Sequence, residues 1–203
     1  MPDTGGMTME LMFGLAAFAF VTSITPGPNN LMLMASGANF GFRRSLSHML
    51  GISGGFCFMV IVVGMGLAEI FDRFPISHLI LKGASVVYLL YLAWRIATAA
   101  PPSTGAPAGE PFSFLQAALF QWVNPKAWSM ALTAVTVYSA THAFSEIVVV
   151  ACLFSLINLP SVSLWTLLGQ AMRRLLNAPA RLRQFNILMA VLLIVSLYPV
   201  LFA

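Results

Sequence analysis

Thr25-Pro26-Gly27-Pro28-Asn29-Asn30 and Asn124-Pro125-Lys126 are polar, proline-bearing words set inside long apolar runs. In each, a residue acceptable at a helix N-cap, Gly27 or Asn124, precedes a proline whose missing N–H costs nothing at the first helical position. Each word therefore predicts a new helix starting in the middle of an apolar segment. Pro26 adds a second break by pushing Thr25 out of helical geometry. A helix start at such a place exposes N–H groups and partial positive charge, which suit a small anionic group, a carboxylate first of all. Lys126 strengthens that preference, while Asn29, Asn30 and Asn124 add donors and acceptors. Pro26, Gly27, Pro28, Asn29, Asn30, Asn124, Pro125 and Lys126 are thus the candidate binding residues. A proline can also bend a membrane helix and bind nothing, but two matched breaks, one with a charge at depth, favour a site.

Other chemistry-bearing residues are fewer. His48 belongs to the residue type whose unperturbed side chain titrates near neutrality, so a proton relay is one role for it; the more ordinary role is a hydrogen-bonded packing histidine. Asn158, in the stretch Ile157–Trp165 with Pro160, Ser161 and Ser163, belongs either to a third kinked, pocket-lining element or to a helix packed through small residues. Trp94 and Trp165 read as a cytoplasmic aromatic belt. Trp122 and Trp128 flank the second break, either shielding a substrate or facing lipid. Cys57 and Cys152 lie in apolar runs and read as small buried hydrophobes, with a redox pair as the alternative. No catalytic triad or phosphate-binding loop is present in the sequence, so an enzyme is not expected, nor is a cofactor or a resident metal.

These residues must be positioned by membrane helices. The 203-residue chain is 59% hydrophobic and 8% charged, far from the roughly 25% charged of soluble domains. Its net charge of +4 comes from basic residues scattered over loops, which excludes a phosphate-tracking stripe and a nucleic-acid partner. Asp3 and Glu10 occupy the place of a basic leader, so the first apolar segment is expected to stay in the mature protein. A helix needs about 20 residues to cross a bilayer, and six spans follow: about 10–40, 45–70, 77–99, 114–139, 144–170 and 185–202. Gly51, Gly54, Gly55, Gly64 and Gly66 in the second span predict close helix approach.

Arg43, Arg44, Arg95, Arg173, Arg174, Arg181 and Arg183 fall on connections of one face. Arg73, accompanied by Glu69 and Asp72, lies on the other, as do His142 and Glu146. The arginine-rich face should be cytoplasmic and both termini outside. Six spans split by a Pro/Gly/Ala-rich linker predict an all-α membrane protein of two inverted three-helix repeats, the first helix of each repeat broken. The chain is then one transmembrane domain: repeat one about 9–100, a cytoplasmic linker about 101–111, and repeat two about 112–203. As helices, Asn29 to Phe40 and Ala127 to Ser139 would be about 18 and 20 Å long, each half a span. Their amino ends should face each other near the midplane.

At these residues the chain resembles the lysine exporter (LysE/RhtB) family. The likeness is carried by "TPGPNNLMLMASGANFGFRRSLSHMLGISGGF" and "FLQAALFQWVNPKAWSM" and extends over nearly the full length. It implies secondary, proton-coupled antiport: efflux of amino acids or derivatives across a bacterial inner membrane, with a small-molecule substrate, protons as coupling ion and scope for a homo-oligomer. The second span carries His48 and no carboxylate, so the resemblance favours the neutral homoserine, threonine or leucine type over cationic substrates. At the position of Asn30 the resemblance leads us to expect a hydrophobic residue in many relatives. Two alternatives belong to other chemistries. A divalent-cation carrier would need clustered carboxylates, and the acidic residues lie in loops or at span ends. A membrane thiol carrier would use Cys57 and Cys152.

Overall fold

The computed structural model describes residues 7–67, 69, 73–74, 76–99, 109–176 and 178–198. Among these the chain is helical, with no strand. Helix α1, Met9–Ile24, opens on Thr8, whose hydroxyl accepts from the Leu11 N–H. It stops at Thr25, and after an extended Pro26-Gly27 link α2 runs over Pro28–Phe40, bent 55° from α1. Helix α3, Leu46–Val62, continues into a π turn over Val63–Leu67, and α4 is Ile76–Ala97. Ser113 and Gln116 form a capping box that starts α5, Phe114–Phe120; a 3-10 turn over Gln121–Val123 then leads to α6, Pro125–Tyr138. The long helix α7, Phe144–Met172, runs through Pro160, and α8 is Pro179–Val195.

Three of these helices are long and apolar enough to cross a membrane, and the bent pair α1–α2 makes a fourth span if taken together. The last helix starts at Pro179, ahead of the expected span start at Phe185. The two arginines that make residues 179–184 look like loop ride on its first turns, where Pro179 at the first helical position sets the start. Residues 101–108 of the expected linker, Asp72 and the expected end of the last span at Phe202 lie outside the described residues.

The distribution of side chains is that of a protein solvated by lipid. Phe13, Phe20, Phe58, Leu79, Val87 and Leu156 are all more than half exposed. The interior by contrast holds Ser23, Asn30, Asn39, His48, Gln121, Asn124, Asn158 and Asn186. Polar groups buried among helices with apolar groups outside is the arrangement a bilayer selects, because hydrocarbon offers them no partners.

Close packing depends on glycine at two crossings. A Cβ on Gly37 would strike the Thr166 carbonyl and one on Gly169 the Met34 carbonyl, so α2 and α7 meet backbone to backbone. Gly51 and Gly55 do the same for α3 against the Phe114 carbonyl and Ala118 of α5. Gly66 departs from the expectation of close approach: among the described residues no atom lies within 4 Å of its Cβ position, and its φ of 104° serves the turn instead. Helix α7 thus touches α1, α2 and α3, while α4 packs on α8 at the other side. One apolar cluster joins α1, α3, α6 and α7; another joins α2, α4 and α8.

Candidate functional site

The break between α1 and α2 leaves the last carbonyls of α1 without helical partners, which inside a membrane must be supplied from elsewhere. Three side chains supply them. The Asn30 amide donates to the carbonyls of Ser23 and Thr25, both at 2.8 Å. The Trp165 indole N–H donates to Ile24 O at 3.1 Å. The Lys126 ammonium donates to Thr25 O at 2.7 Å and, more weakly, to Pro26 O at 3.4 Å. Trp165 is therefore a clasp on the broken helix rather than a member of a surface belt. The helix C-terminus carries partial negative charge, so a lysine ammonium is electrostatically matched to it.

The second break is built on the same plan with a different outcome. Asn124 caps α6: its Oδ1 accepts from Lys126 N–H at 3.2 Å, and its carbonyl accepts from Ala127 and Trp128. Pro125 has no N–H to offer. Every donor in the first turn of α6 is therefore engaged or missing, against the expectation that both helix starts present free donors. In α2 the Asn29 and Asn30 N–H groups have no acceptor among the described residues. The two starts are unequal, and α2 alone keeps donors for a ligand.

Direct bonds tie the breaks together. Asn29 and the fully buried Gln121 form a reciprocal amide pair, Nδ2 to Oε1 at 2.8 Å and Nε2 to Oδ1 at 3.2 Å. The Lys126 side chain lies against Gly27, where a Cβ would come within 2.8 Å of its Cδ. Asn158 reaches the same place from α7, accepting from Ser53 and donating to Ser23, both at 3.0 Å. A small cavity of about 20 Å³ lies at this junction, lined by Ser23, Gly27, Asn29, Asn30, Asn124, Lys126 and Asn158 among others. It has room for about one water. In this conformation the junction is closed.

Of the candidate residues, Gly27, Asn29, Asn30, Asn124, Lys126 and Asn158 meet at the cavity. Pro26, Pro28 and Pro125 are not part of its lining; they set the breaks. His48 stands apart: its ring is fully buried and packs edge-on against Phe112 at 5.2 Å, and neither ring nitrogen has a partner among the described residues. The hydrogen-bonded packing histidine expected from the sequence is thus not what the structure shows. Trp128 is buried and donates from its indole to the Trp122 carbonyl at 2.8 Å, packing inward beside the break. Cys57 lies beside Cys152 and Ser155, and both thiols are free; Cys57 is half-buried and Cys152 exposed, so they are not the buried hydrophobes expected from the sequence. Sequence reading missed Gln121 and Ser23. A lone glutamine three residues before Asn124 in an apolar run was the available signal for the first; nothing marked the second.

A lipid-solvated bundle with a polar junction between two broken helices is a membrane-embedded protein with an internal polar site. Residues 20–196 match the LysE type translocator family, and the chain belongs to it. Similar proteins include the cysteine/O-acetylserine efflux proteins of Escherichia coli O139:H28 (strain E24377A / ETEC), Escherichia coli (strain K12) and Shigella sonnei (strain Ss046). Each is 33% identical over 93% of this chain and 96% of the relative. No solved structure matches the chain. Family and relatives make it a transporter and not an enzyme.

Proposed function

We propose that the chain is a secondary active exporter of small neutral amino acids or their derivatives, working across the bacterial inner membrane. The observation that carries the reading is the meeting of the two broken helices, where Lys126 of α6 bonds the carbonyls that end α1 and Asn29 of α2 bonds Gln121. The substrate carboxylate takes the backbone N–H groups of Asn29 and Asn30 and draws the ammonium of Lys126, which among the described residues donates only to Thr25 O and Pro26 O. Because the junction is closed, loading requires Lys126 to let go of Thr25 O. Substrate binding and helix opening are thereby coupled.

The relatives' names move the substrate expectation from homoserine, threonine or leucine towards cysteine and O-acetylserine, which are neutral overall at pH 7. The inverted arrangement of two three-helix units, a single domain, cytoplasmic arginine-rich loops, outside termini and proton antiport complete the proposal. A homo-oligomer is compatible with it. Family membership favours this over the cation carrier and the thiol carrier. Among the described residues no three His, Cys, Asp or Glu side chains are grouped to hold a metal.

The test is an accumulation assay. Cells lacking the gene are fed dipeptides containing cysteine or serine, and internal amino acids are followed with and without the gene. A neutral amino acid or its O-acetyl derivative should rise only without it, and Asn29→Ala or Lys126→Ala should behave like the deletion while still inserting in the membrane. Identical pools in all strains would refute the reading.

A further inference from the structure

A second, roomier cavity lies away from the junction. It measures about 310 Å³ and opens between α2, the end of α4 and residues 109–112, within the roughly 300–1,000 Å³ range of small-molecule sites. Met32, Ser36 and Asn39 of α2 line it, and Asn29 lies on the same stripe of that helix at i, i+3, i+7 and i+10 spacing. One helix face therefore leads from this cavity to the junction. Its polar wall is rigid: Ser36 pairs with Ser45 at 2.7 Å, and Asn39 forms a reciprocal amide pair with Asn186.

Charge at the cavity is of both signs. The Arg95 guanidinium lies 4.8 Å from the centre of the Phe112 ring and Arg44 lies 5.5 Å from that of Phe40, and both rings line the cavity. Arg95 and Glu110 line it themselves, yet among the described residues they make no ion pair with each other. An arginine held flat on a ring presents its fork to a carboxylate. A carboxylate beside it suits an ammonium. The two ends of a free α-amino acid carry this pair of groups.

We propose that this cavity captures the zwitterionic substrate, carboxylate on Arg95 and ammonium on Glu110, before it passes along α2 to the junction. The inference rests on the exporter reading above and adds a second site to it. Only molecules with both free termini are selected there; a blocked amine or acid loses one contact.

The test is calorimetric titration of the purified full-length chain with O-acetylserine, N-acetylserine, which lacks the ammonium, and O-acetylserine methyl ester, which lacks the carboxylate. Glu110 is exposed, so Glu110→Gln threatens no packing. It should weaken O-acetylserine about tenfold and leave N-acetylserine unchanged. Arg95→Gln should do the same for O-acetylserine and leave the methyl ester unchanged, with Arg95→Lys intermediate. Wild-type affinity in both variants, equal losses for all three ligands, or no binding of O-acetylserine to the wild type would overturn the proposal. Failure of the exporter reading shows separately, as identical internal amino-acid pools in cells with and without the gene.

Discussion

Asn30 and Asn29 are neighbours with different work. Asn30 turns back to hold the Ser23 and Thr25 carbonyls, whereas Asn29 reaches across to Gln121. Replacing Asn30 by Leu strips two carbonyls of a donor and should lower thermal stability. Asn29→Ala and Gln121→Ala remove opposite sides of one amide pair. Interhelical hydrogen bonds in membranes are worth about 0.6 kcal/mol on average and about 1.7 at most. The double variant should therefore be less destabilised than the sum of the singles by about 1 kcal/mol, measured by thermal unfolding in detergent; strict additivity would deny the pair. Cys57 and Cys152 are neighbours that the transport reading does not use. Export by the double Cys→Ala variant at the wild-type rate is the expected result, and its loss would revive thiol chemistry.

At the scale of elements, α2 is the hinge piece, with its start at the junction, its back against α7 and its Met32, Ser36 and Asn39 stripe on the large cavity. The backbone contact at Gly37 and Gly169 has no side chain that could yield. Gly37→Ala or Gly169→Ala must push α2 from α7 and should cost about 1–3 kcal/mol, read as a fall in the unfolding midpoint. Gly83→Ala, at a position on α4 where among the described residues no atom lies within 4 Å of the added carbon, should not. The three atoms nearest a Cβ at Gly27 all belong to the flexible Lys126 side chain, so Gly27→Ala should keep the fold and shift the ammonium off Thr25. Efflux should change while the unfolding midpoint stays within a few degrees.

For the whole molecule, what could be read in the sequence were the features written locally. Pro28 and Pro125 mark helix starts by the chemistry of one residue and its predecessor, and both were found at the first helical position. Helical class and membrane placement followed from composition. The helical residues of α8 ahead of the expected span were not legible, because Arg181 and Arg183 look like loop residues when only apolar length is counted. The partners of Lys126 were illegible for a different reason. They are backbone carbonyls a hundred residues away, and a carbonyl has no letter in a sequence. The same holds for the large cavity, whose walls come from three separate stretches, and for the neighbouring thiols on α3 and α7.

Lys126 carries the decisive measurement, because it both bonds the end of α1 and is assigned the substrate carboxylate. Lys126→Gln keeps a donor for Thr25 O and removes the charge, so uptake of labelled O-acetylserine into everted membrane vesicles separates the two roles. We expect Lys126→Gln to unfold near the wild-type temperature and to lose transport, with Lys126→Arg retaining part of it. Transport at the wild-type rate by a stably folded Lys126→Gln would mean that the lysine only closes a broken helix, and that the junction does not hold the substrate.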